Sequence, residues 1–178
     1  MKKTGHTATA VVAIVMFILF LGLGGFVFIT SGMYNIAASS PHTPIVETIL
    51  NETMEYSVHR HARVIAAPDL TDAAMVAEGA AHFREDCVRC HGAPGIDRED
   101  FAWGLNPLPP YLAAALEDFS PAEIFWVASH GIKMTGMPAF GTSETPDKLW
   151  QIVALIEQMP NLSPEQYGAM IAGLRNEN

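Results

Sequence analysis

The 178 residues are 49% hydrophobic and 16% charged, with a formal charge of −9. That length and composition give room for one domain of about 100 residues plus an additional element. The acidic excess argues against nucleic acid as a partner.

The additional element is at the amino terminus. Ala8 to Ile29 are 22 residues without a charge, preceded by Lys2 and Lys3. At about 1.5 Å per residue a helix of this length crosses a hydrocarbon core of ~30 Å. A cleaved signal peptide has an apolar region of about 7 to 15 residues before an A-x-A-like site, and Ile36-Ala37-Ala38 fits that site poorly. The reading is therefore an uncleaved transmembrane helix over 8–30 behind a cytoplasmic 1–7. Lys2 and Lys3 keep that end in the cytoplasm, which leaves the rest of the chain on the outer side. Beyond the two lysines, 8 Lys and Arg stand against 19 Asp and Glu, a formal charge of −11. Most of these charges are read as solvated surface.

Residues 31–68 read as a connector that contains one helix. Thr43-Pro44 supplies a cap and first helical position, and Ile45, Val46, Ile49, Leu50 and Met54 recur at helical spacing. A helix is expected from about 44 to about 62, ending before Ala67-Pro68. Its apolar face must cover either the domain that follows or another protein. His59 and His61 lie on it, and residues two apart on a helix diverge, so they are read as surface histidines rather than a metal pair.

The domain from 69 to 178 opens with Thr71 or Asp72 as a helix cap. It then carries Cys87-Val88-Arg89-Cys90-His91, and the chain has no other cysteine. Two sulfurs three residues apart on one turn can add to the two vinyl groups of one haem, with the adjacent His91 beneath the iron. A thioredoxin-like disulfide would need a βαβ setting that the apolar pattern lacks. A structural zinc site would need a second ligand pair downstream, and none follows.

Downstream, Ser120-Pro121-Ala122-Glu123 is a capping box with proline at the first helical position, and that helix ends near His130. Neither His82 nor His130 is the candidate iron ligand. Gly131 to Gly141 then frames Met134 and Met137-Pro138 in a glycine-bounded loop. A neutral thioether from such a loop favours ferrous over ferric iron. Thr145-Pro146 opens a helix carrying Trp150, and Ser163-Pro164-Glu165-Gln166 opens a last short one. No strand alternation or repeat is evident, so the fold class is all-α.

These residues make 71 to 159 resemble a class I cytochrome c, of the type also seen in the cytochrome c subunits of cbb3-type oxidases. The resemblance implies one covalently bound haem c on Cys87 and Cys90, with His91 and the methionine of the Met-Pro pair, Met137, as axial ligands; Met134 is the alternative. Gly79 and Phe83 match the family's amino-terminal helix. Its carboxy-terminal helix would bring Ile152 and Leu155 onto them, with Trp150 supplying the bulk of the aromatic that 155 lacks. A family Pro-x-Leu, whose proline carbonyl orients the haem histidine, resembles Pro110-Tyr111-Leu112, in a loop that also holds Pro107 and Pro109.

The resulting expectation is an electron carrier rather than an enzyme. A monohaem c-type cytochrome anchored in the bacterial cytoplasmic membrane would pass single electrons between redox partner proteins at the periplasmic face, one of them a membrane-bound complex, in a respiratory or photosynthetic chain. One alternative is a haem-binding subunit of a larger membrane oxidoreductase. Another is a haem enzyme or gas sensor with an open axial position, for which the loop around Met137 offers mainly Lys133 and Thr135 as polar groups.

Overall fold

The computed structural model describes residues 3–173. It divides into two compact units, one ending at Ser40 and one beginning at Pro41. The first unit holds helix α1, Lys3–Thr30, whose stretch His6–Thr30 has a mean hydropathy of 2.8 and is long enough to cross a membrane. Its apolar side chains point outward all round, as expected of a helix whose solvent is lipid.

Among the described residues of the second unit the regular elements are helices joined by loops, apart from an isolated bridge between Ala93 and Ile96. Its helices are α2 (Pro44–Ala62), α3 (Ala73–Asp86), α4 (Val88–His91), α5 (Leu112–Ala115), α6 (Pro121–His130), α7 (Pro146–Gln158) and α8 (Pro164–Gly173). Local chemistry sets their starts. Of the two candidate caps for α3, Asp72 is the one used, its Oδ1 accepting from the Ala74 N–H at 2.9 Å, while the Thr71 hydroxyl turns back to Asp69. Thr145 Oγ1 accepts from the Lys148 N–H at the start of α7. At α8 the box is reciprocal: Ser163 N–H donates to Gln166 Oε1 at 2.7 Å, and Gln166 N–H donates to Ser163 Oγ at 3.2 Å. Thr43 occupies the cap position of α2 but its hydroxyl makes no cap bond, so the proline at the first turn carries that start.

The core is the crossing of α3 and α7. Phe83 and Ala80 from α3 and Val153, Ala154 and Leu155 from α7 have no exposed surface, and Leu149, Ile152 and Ile156 have almost none. Burying a side chain such as Phe83 or Leu155 contributes roughly 1.5 to 3 kcal/mol. The helices approach so closely that a Cβ at Gly79 would stand 2.0 Å from the Gln151 carbonyl oxygen. Only glycine allows that backbone contact. Tyr167 of α8 is also fully buried against this core. Trp150 does not fill the crossing as expected: it stacks on Phe125 of α6, ring centroids 4.1 Å apart. Its position on α7 turns it toward α6, and Leu155 closes the crossing without an aromatic ring.

Helix α2 packs against α6. Val58 and Ala62 are buried there, Glu123 bonds the His59 ring, and His61 lies parallel to the Trp126 indole with centroids 5.5 Å apart. The two histidines are thus solvent-facing, as expected of surface residues, yet each is also a contact holding α2 to the domain.

Candidate functional site

The site begins where α3 ends. The Cys87 N–H bonds the Phe83 carbonyl at 2.9 Å, so the last turn of α3 runs straight into the C-x-x-C-H turn. His91 and Gly92 close that turn, their N–H groups donating to the Cys87 and Val88 carbonyls. Because Phe83 is locked in the core, the motif inherits a fixed position from the α3–α7 crossing.

Cys87 is buried and Cys90 half-buried. Burial first, and the Asp86 carboxylate next, push the Cys87 thiol up to about 12. A site that disfavours thiolate so strongly is a poor metal thiolate site, and among the described residues no cluster of His, Cys, Asp and Glu could hold a metal ion. A thioether carries no charge and suits the same surroundings.

His91 is buried, and its ring Nδ1 meets the Pro110 carbonyl oxygen at 2.8 Å. With a carbonyl as the only acceptor there, Nδ1 carries the proton and Nε2 is left as the basic nitrogen. Burial lowers the His91 pKa, the Pro110 carbonyl opposes that, and the Arg98 charge reinforces the lowering. The ring is therefore held neutral, the form that ligates iron. Of the three crowded prolines, Pro110 is the one whose carbonyl faces His91.

Met137 and Met134 occupy different environments. Met134 is 98% exposed, with a left-handed φ of 63°, whereas Met137 is half-buried. The loop pins the Met137 backbone from both sides: its N–H donates to Thr135 Oγ1 at 3.1 Å, and its carbonyl accepts from the Ile132 N–H at 3.3 Å. The Thr135 hydroxyl in turn donates to the Ile132 carbonyl at 2.7 Å. Thr135 is therefore spent on loop geometry rather than on a distal ligand.

The segment from the motif to Tyr111 exposes Ile96, Phe101, Trp103, Leu108 and Tyr111. So many large apolar side chains in one loop suit a flat, apolar ligand held at the C-x-x-C-H turn. The donor set fits haem on each count: two uncharged sulfurs, one neutral imidazole with its tautomer fixed, and a half-buried thioether on a second loop. Sequence reasoning overlooked Arg98, which sits buried behind Pro110.

An all-helical domain that presents these groups has a donor set suited to a haem. Residues 74–156 match the family model described as cytochrome C oxidase, cbb3-type, subunit III. The chain is 26% identical over 136 residues to the cbb3-type cytochrome c oxidase subunit FixP of Rhizobium meliloti (strain 1021), covering 67% of this chain and 39% of that protein. It is 28% identical over 109 residues to the same subunit of Sinorhizobium medicae (strain WSM419), covering 52% of this chain and 32% of that protein. The chain thus spans well under half the length of these curated relatives. Residues 74–156 are thus similar to a cytochrome c family domain, in a chain that also carries a helix long and apolar enough to cross a membrane.

Proposed function

We propose that this chain is a membrane-anchored monohaem c-type cytochrome that passes single electrons between redox partner proteins at the periplasmic face of a bacterial cytoplasmic membrane. The observation that carries the reading is His91, one residue beyond the second cysteine, whose Nδ1 meets the Pro110 carbonyl at 2.8 Å, which leaves Nε2 as the basic nitrogen. Haem c, when bound, supplies a one-electron iron couple. The domain of 69–178 does the rest. Cys87 and Cys90 hold the group through thioether bonds, His91 provides a neutral imidazole, and Met137 provides a soft thioether that favours the reduced state. With His91 and Met137 both committed to holding the group, its role would be carrying electrons rather than turning over a substrate.

Names of the curated relatives favour one particular setting, a haem-bearing subunit of a membrane oxidoreductase in a respiratory chain. The anchor would then raise the local concentration of the partner, an advantage for an outer portion, beyond Lys2 and Lys3, of formal charge −11 that lacks a lysine-rich steering surface. Lys2 and Lys3 support the assignment of the haem domain to the outer side.

The test is covalency. Acid and organic solvent should leave haem on the denatured full-length polypeptide, and Cys87→Ala with Cys90→Ala should abolish that retention. Complete extraction from the native protein would overturn the reading.

A further inference from the structure

We propose that Arg98 is a positioning residue for His91: it clamps the two residues flanking Pro110 and so fixes the carbonyl that accepts the imidazole proton. The inference rests on the reading of His91 as the haem ligand and names the group that orients it.

Arg98 is only 5% exposed, yet no carboxylate pairs with it among the described residues. A buried guanidinium without an anion is costly unless other groups take up its charge and its donors. Here the segment that holds Pro110 takes up the charge and one donor, while the buried Nε has no hydrogen-bond partner. Nη1 donates to the Pro109 carbonyl. The guanidinium plane lies over the Tyr111 ring at 4.2 Å from its centroid, and over the Trp103 ring at 4.9 Å. Both aromatic faces attract the charge, more strongly because it is desolvated. One side chain therefore grips the residue before Pro110 through its carbonyl and the residue after it through its ring.

The grip is anchored to the haem motif itself. Gly92 follows His91 with a φ of 68°, and a Cβ there would meet the Ile96 carbonyl at 2.8 Å and the Tyr111 ring at 2.9 Å. The chain turns back at once, pairing Ala93 with Ile96, and Glu99 N–H then donates to the Arg89 carbonyl at 2.9 Å. Arg98 is thus delivered to Pro109 by a short loop whose two ends are fastened to the C-x-x-C-H turn. The Tyr111 hydroxyl adds a second fastening by donating to Asp97 Oδ1 at 3.3 Å. Lysine could replace the charge and one donor, but not the flat fork that bonds and stacks at once.

The measurement is solvent exchange of the His91 Nδ1 proton, read by NMR in the full-length, reduced haem protein in detergent, with the Leu155 amide as a reporter of global opening. Arg98→Met should speed His91 exchange roughly tenfold, the scale of one weakened hydrogen bond, with Leu155 unchanged. Arg98→Lys should fall between wild type and Arg98→Met, and it carries the test if the methionine variant fails to fold. Unchanged His91 exchange in the folded variants would overturn the proposal, and so would equal acceleration at Leu155, which marks general loosening. The ring-current shift of the His91 protons in the wild type reports ligation separately. Its absence would overturn the ligand reading, while the exchange rates still judge the clamp.

Discussion

Helices α3 and α2 make an instructive contrast. Both pack on a neighbour in the same unit, but α3 meets α7 backbone to backbone through Gly79 and buries Phe83 completely. Helix α2 meets α6 over its last turns alone, with Val58 and Ala62 buried while Ile45, Ile49 and Tyr56 stay exposed. The first contact is made of shape and tolerates no added atom. The second is made of a few side chains, two of them histidines, and is correspondingly weaker. Because the C-x-x-C-H turn continues directly from α3, the rigid contact is the one that positions the candidate haem-binding residues.

The largest expected effect is therefore at the crossing. Gly79→Ala places a methyl where the Gln151 carbonyl already stands, forces α3 and α7 apart, and should cost about 3 kcal/mol or more. Thermal unfolding of the haem-loaded protein measures it. A Gly79→Ala variant as stable as wild type would mean that the helices do not touch there.

Val58→Ala tests the weaker contact. The cavity should cost about 1 to 2 kcal/mol, and the loss should appear as faster hydrogen exchange over 44–62 while α3 and α7 keep their protection. Equal loss in α3 would show that α2 is part of the core rather than a docked arm.

The smallest effect is electrostatic. Burial pushes the Glu123 carboxyl up, but the Ser120 N–H, His59 and the Ser120 hydroxyl outweigh it and hold it below its ordinary 4.5. A carboxyl depressed in the folded state contributes stability above 4.5 that is lost as the pH falls through its folded value. Exchange over 44–62 should rise on acidification below 4.5, and Glu123→Gln should remove that pH dependence.

The difference between the two contacts also governs what could be read in advance. Helix starts were legible because Pro44, Pro121, Pro146 and Pro164 follow threonine or serine, a local signal. The candidate haem turn stands out in the sequence because C-x-x-C-H concentrates its chemistry in five residues. Trp150 was misplaced because its rotation about α7 depends on Phe125, 25 positions earlier. The roles of His59 and His61 depend on Glu123 and Trp126, some 64 residues away, and no periodicity encodes such pairs. Arg98 was invisible for the same reason: its partners Trp103, Pro109 and Tyr111 fall at irregular spacing in a loop.

The central claim is that His91 and Met137 hold the haem iron between them. It is tested most directly by the sulfur-to-ferric-iron absorption band in paired variants of the full-length protein. Met137→Ala should abolish the band, lower the reduction potential and admit external ligands such as imidazole. Met134→Ala, at a side chain 98% exposed, should leave all three unchanged. Loss of the band in Met134→Ala with retention in Met137→Ala would contradict the account.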